Sequence, residues 1–237
     1  SGGVLDESCP YGGTETCSTM TPWNGNAGVY MFNKDHVVIK NLIINGFFHG
    51  ILTDQTSSYG IITGNTISSP GQHPHGSAID IKGGNYVQIT NNEISNSYKG
   101  IKVFNVRGSD QCSGDNSFVI SQNTINMPSG SEFGISNTYN SINEHGKGVC
   151  IDQNTITGGD IGITIGHSKG GITTDNTVTG AVIGFHISYD THLSTMTGNT
   201  ANSNTNKGFW FDECQGVLPC TPSTSSFSSS SIETFTG

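Results

Sequence analysis

The sequence predicts an all-β protein built as a single-stranded right-handed parallel β-helix, a solenoid of about eight coils. Three observations predict it. A motif close to Gly-apolar-any-apolar recurs at Gly28, Gly50, Gly76, Gly100, Gly134, Gly162, Gly184 and Gly208. A second motif follows each of the first seven, an Asn set among β-branched residues, centred on Asn41, Asn65, Asn92, Asn123, Asn154, Asn176 and Asn199. No stretch carries the 3.6-residue spacing of an amphipathic helix, whereas short runs alternate apolar and polar with the period of a strand.

Each coil therefore consists of short strands joined by turns at which Gly and Asn accept left-handed backbone. Stacking the coils buries the inward Ile, Val and Phe of one against the next, and the recurrent Asn is expected to form an amide ladder along one turn. Coil length varies, with 22 residues between Gly28 and Gly50 and 34 between Gly100 and Gly134. The excess marks insertions at 105–117 and 126–148, expected as loops on the side of the solenoid. Residues 1–27 lack the repeat and are expected to cap the first coil. The β-helix itself is expected over 28–220, and the Ser/Thr-rich residues 221–237 form a C-terminal tail, linker or outer segment.

Composition narrows the function. Only 11% of the residues are charged, against about a quarter in ordinary soluble domains, so solubility rests on Ser, Thr and Asn. The net charge of −9 argues against nucleic-acid and anionic-membrane partners, both of which need a basic face. Six cysteines without zinc-like spacing read as three disulfides and an extracellular location, secreted or on the cell surface. Proximity suggests Cys9 with Cys17 and Cys214 with Cys220, leaving Cys112 with Cys150, but six cysteines allow 15 connectivities. No apolar run is long enough to cross a bilayer, and a start at Ser1 without a signal peptide is what a mature secreted chain would show.

Counting from each glycine aligns the coils. Positions +1 and +3 should face the core and +2 and +4 the solvent. The position before the glycine then carries His49, His75 and Lys99, and position +4 carries Asp54 and Asp80, so the second and third coils share H-G-x-x-x-D. Lys82 and Lys102 point outward beside them, and His73 and the only arginine, Arg107, lie in adjacent turns. The bland reading is a solvated face of compensating charges. The functional reading follows from what acidic sugars demand: breaking a uronate chain by β-elimination, or inverting C5, needs a neutralised carboxylate, a base for the C5 proton and a proton donor. Lys102 or a histidine (His75 above all) is the candidate base, and Arg107 and Lys99 hold the carboxylate. His49, His73 and Lys82 bind substrate. Asp54 and Asp80, expected one coil apart, either share a cation such as Ca²⁺ or act as the acid and nucleophile of a glycosidase.

Through its GI-x-I and N-T-I repeats, over about residues 28–212, the chain resembles the pectate-lyase-like right-handed β-helices, which include polysaccharide lyases, mannuronan C5-epimerases and the NosD-like repeat proteins. His73-Pro74-His75-Gly76 is similar to the Asp-Pro-His segment of the epimerases, with Gln72 and His73 in place of its acidic side. The resemblance implies a carbohydrate-active protein, a lyase or C5-epimerase on an acidic polysaccharide. The alternative is a non-catalytic extracellular filament subunit or adhesin that self-associates end to end, since a solenoid with open ends exposes strand edges.

Overall fold

The computed structural model describes residues 4–6, 27–53, 57–68, 76–106, 108, 117–138, 146–147, 149–166, 168–188, 191–211 and 227–228. All strands pair in parallel and lie in three sheets of eight, eight and nine strands. The chain visits the sheets in rotation. One rung runs from His49–Thr53 in the central sheet to Ile61–Thr63 in the nine-stranded sheet and Thr66–Ser68 in the third, before Ser77–Lys82 returns to the central sheet. This is a parallel β-helix, the predicted class. Among the described residues the last rung is incomplete: Lys207–Phe211 ends the central sheet, Phe227–Ser228 continues the nine-stranded one, and no strand extends the third past Thr200–Asn202. The complete turns are therefore somewhat fewer than the glycine count of eight.

The interior is a column of stacked aliphatic side chains. Ile44, Ile67, Ile94, Ile125, Ile156 and Val178 line it from the third sheet, Ile62, Ile89, Ile120 and Ile151 from the nine-stranded sheet, and Ile51, Ile79, Ile101, Ile135 and Ile163 from the central one. Burying Ile at one position of every rung contributes about 2 kcal/mol per side chain. It also fixes register, because a one-residue slip would turn each Ile to the outside.

The expected amide ladder is present. Nδ2 of Asn65, Asn92, Asn123, Asn154 and Asn176 donates to Oδ1 of the next Asn at 2.9–3.0 Å, and the same oxygen accepts the preceding Asn's backbone N–H. The first rung differs from expectation. There Leu42, not Asn41, occupies the ladder position and donates its N–H to Asn65 Oδ1, while Asn41 takes the left-handed turn one residue earlier (φ 56°). Asn91, Gln122, Gln153 and Asp175 fill that same turn on later rungs.

Of the cysteines, Cys150 alone is described. It is buried, and no free cysteine occurs among the described residues. The other five, and with them the suggested pairings, lie outside the described residues, as do most of 1–27, of the 105–117 insertion and of 221–237. The 126–148 segment is described at 126–138 and 146–147, and its first part is largely strand, including Phe133–Thr138 of the central sheet.

Candidate functional site

The central sheet positions the site. Its alternation breaks at the glycine position, where that residue and the next both face the core: a Cβ on Gly50 would lie 2.5 Å from Ile67 Cγ2 and from the Ala78 carbonyl, and Ile51 is a core residue. Only a very small residue fits there. In the third rung that residue is Ala78, whose neighbours Ile79 and Ile81 are also in the core, and not Gly76.

This overturns the register expected from glycine counting, by two residues. His49 pairs with Ser77, and Leu52 pairs with Asp80. On the other side Ser77 pairs with Lys99, and Asp80 with Lys102. Asp80 therefore stands in the outward column of Leu52 and Lys102, where counting from Gly76 had set it level with Asp54. Of the predicted residues, His49, Asp80, Lys82, Lys99 and Lys102 come together on one outward patch of three adjacent rungs. Asp54, His73, His75 and Arg107 lie outside the described residues, so the structure neither joins them to this patch nor separates them from it.

Although outward-facing, the patch is covered. His49 is 3% exposed, Ser77 0% and Asp80 2%, with Leu52 buried alongside. His49 Nδ1 lies 3.7 Å from Asp80 Oδ2, and Lys82 Nζ lies 4.0 Å from the same oxygen. Phe48 meets the His49 imidazole edge-on at 4.7 Å. Lys99 is turned away: its Nζ bonds Glu132 at 3.0 Å and hovers over the Tyr98 and Phe133 rings. Three buried polar atoms, His49 Nδ1, Ser77 Oγ and Asp80 Oδ1, have no hydrogen-bond partner among the described residues.

The electrostatics follow from burial inside a ring of lysines. His49 is held down at about 3, first by desolvation and then by Lys82, Lys102 and Lys99, so it is a neutral imidazole at neutral pH. An adjacent carboxylate would ordinarily favour the imidazolium, but here burial and three ammonium groups outweigh Asp80. Burial pushes the Asp80 carboxyl up, against a smaller downward pull from Lys102, Lys82 and Lys99. With Glu132 included, three cations face two acids, leaving a positive surplus within a chain of net charge −9. The described residues contain no group of three or more side chains that could hold a metal ion, and Asp54, the other carboxylate of the expected cation site, lies outside them.

Ser77 and Glu132 were not anticipated. Ser77 becomes visible in sequence only once Ala78 is recognised as the glycine equivalent. Glu132 precedes Phe133 in the insertion-bearing coil, where the pattern gives no hint of its pairing with Lys99.

The family described as right handed beta helix region matches residues 27–111 and 77–233, a span that takes in the whole patch. No curated protein matches the chain.

Proposed function

The chain belongs to the right-handed β-helix family, and from that scaffold and its buried cluster we propose an extracellular protein that binds and transforms an acidic, uronate-containing polysaccharide as a lyase or C5-epimerase. One observation carries the proposal: a buried Asp80 set among His49, Lys82 and Lys102 on a covered outward patch of the central sheet. A solvated face of compensating charges would lie in water, whereas Asp80 and His49 are withdrawn from it, and burying a charged carboxylate costs several kcal/mol.

Each side chain has a part in that reaction. Lys82 and Lys102 take the sugar carboxylate, and lowering its negative charge acidifies the C5–H beside it. They supply the positive charge that Ca²⁺ would otherwise bring. His49 is the base. Its low basicity comes partly from the lysines, and a bound carboxylate neutralises those same lysines, so substrate binding itself raises the imidazole's proton affinity. Asp80, with its pKa raised, is the partner that holds or returns a proton. Lys99, engaged by Glu132, forms the wall of the site. His75, His73 and Arg107 remain candidates for contact with the substrate.

The test is turnover of polymannuronate, polyguluronate, polygalacturonate and glucuronan. Ultraviolet absorbance of an unsaturated product reports elimination, and solvent deuterium appearing at C5 reports epimerisation. Activity on one of them, lost by at least about 100-fold in His49→Gln and Asp80→Asn with melting preserved, is the expected result. No activity and no binding on any uronan would refute the proposal.

A further inference from the structure

The third sheet presents a surface that the polysaccharide reading does not use. Its strands are short and pair without a register shift from rung to rung, unlike the nine-stranded sheet, which shifts near Lys169 and Gly171. The middle residue of each strand enters the core, so its two neighbours face out in parallel columns. One column reads Thr66, Glu93, Thr124, Thr155, Thr177, Thr200, and the other Ser68, Ser95, Asn126, Thr157, Thr179, Asn202. Thr66, Glu93, Thr124, Asn126, Thr155 and Thr157 are exposed, and Ser68, Ser95 and the C-terminal members are half-buried.

These columns form a two-dimensional lattice. Rungs repeat at about 4.8 Å and alternate residues along a strand at about 6.6 Å, twice the rise per residue. The lattice is built of hydroxyl, methyl and amide groups, and Thr, stiff at χ1, holds its hydroxyl and methyl at fixed places. From Thr66 to Asn202 these columns hold one ionisable side chain, Glu93, in a chain of net charge −9; ahead of them the register continues through Ile43 and Asn45 to Val4 and Asp6. The outward column of the neighbouring sheet, in contrast, includes Lys40 and Asp152.

The charge pattern selects the partner. A polyanion finds no base to pair with in these columns and a polycation finds only isolated acids, so the ligand is neutral; a repeat in two directions suits a ligand that is itself periodic. A crystalline sugar surface would call for aromatic rings with their large flat area, and the columns hold none. We propose that this face binds ice: each Thr hydroxyl donates to and accepts from lattice water, while from Thr155 to Thr200, beyond Glu93, the methyl groups have no ionisable neighbour in their columns to reorient the water around them. The rigid sheet makes the array in advance, so little ordering remains to be done on contact.

This goes beyond the enzymatic reading and uses a different sheet, so either can fail alone. The experiment grows a seeded ice crystal in the presence of the fluorescently labelled full chain, recording incorporation of label, the gap between melting and freezing points, and recrystallisation of a frozen film. The wild type should enter the ice and widen the gap. Thr155→Tyr, a bulky ring in the middle of the array, should lower the effect at least tenfold with unchanged circular dichroism. Lys40→Tyr, the same ring on another sheet, should leave it intact, and Glu93→Thr should increase it. Exclusion of the wild type from ice, equal loss in Lys40→Tyr and Thr155→Tyr, or adsorption to crystalline cellulose or chitin without adsorption to ice would overturn the proposal.

Discussion

Acid should unfold this protein partly through a single imidazole. His49 titrates at about 3 in the folded chain against 6.5 when free. Its folded pKa is depressed, so the unfolded chain binds the extra proton first as pH falls. The associated stability is complete above about pH 6.5 and drains away as pH drops toward 3. Between pH 6.5 and pH 4 the loss is 2.5 pH units at about 1.36 kcal/mol each, about 3 kcal/mol. For a domain of ordinary stability, about 5–15 kcal/mol, that is a large fraction. His49→Gln keeps a polar side chain of similar reach and removes the titration, leaving every other ionisable group in place. Unfolding free energies from urea titrations at pH 7 and pH 4 isolate the term as a difference of differences: the wild type should lose about 3 kcal/mol more than the variant. Equal losses would mean that the imidazole is solvated or paired, and the picture of a desolvated base inside a lysine ring would be wrong.

Three other perturbations test the scaffold and the site. Asn123→Ala removes the acceptor of both the Asn92 N–H and its Nδ2 and the donor to the Ile89 carbonyl; with buried groups left unpaired it should cost about 3 kcal/mol or more in chemical denaturation. Gly50→Ala places a methyl 2.5 Å from the Ala78 carbonyl, an overpacking that should cost about 1–3 kcal/mol, read from the same denaturation curves. Glu132→Gln breaks the Lys99 pair, but Glu132 is 45% exposed on its side chain, so stability should change by less than about 1 kcal/mol; uronate affinity by calorimetry should rise, because Lys99 is released toward the site.

How much the sequence disclosed depended on whether a position is governed by one residue's stereochemistry or by several. The Asn ladder was legible because a short amide that both donates and accepts recurs at the same place in the turn, and it failed only at Asn41, where the left-handed φ that Asn also tolerates claimed it for the neighbouring position. The fold class followed from the same residues. The site was legible in membership but not in register. The glycine position of the central sheet requires a small side chain rather than a flexible backbone, and Ala78 meets that requirement; Gly76, two residues earlier, is the natural choice by pattern alone. That offset misplaced Asp80 beside Asp54 and hid its true neighbours, Leu52 and Lys102. The pairing of Lys99 with Glu132 was invisible because it joins residues 33 positions apart, Glu132 lying in the insertion-bearing coil.

Energetics separate the two outward faces that matter. The Asn ladder and the Ile column stabilise the solenoid at every rung, so no rung needs a charge to hold its place. Burying Asp80 and His49 among Lys82 and Lys102 does the opposite, since the desolvation they suffer exceeds what loosely spaced pairs at 3.7 and 4.0 Å return. Replacing Asp80 and Lys102 by apolar residues of similar size should therefore be neutral or stabilising. A cluster whose removal makes the fold no weaker is not there for the fold, and the same reasoning applies in reverse to the threonine array: its exposed members, Thr66, Thr124, Thr155 and Thr157, add little to folding, so their order from rung to rung is informative about what lies outside the protein.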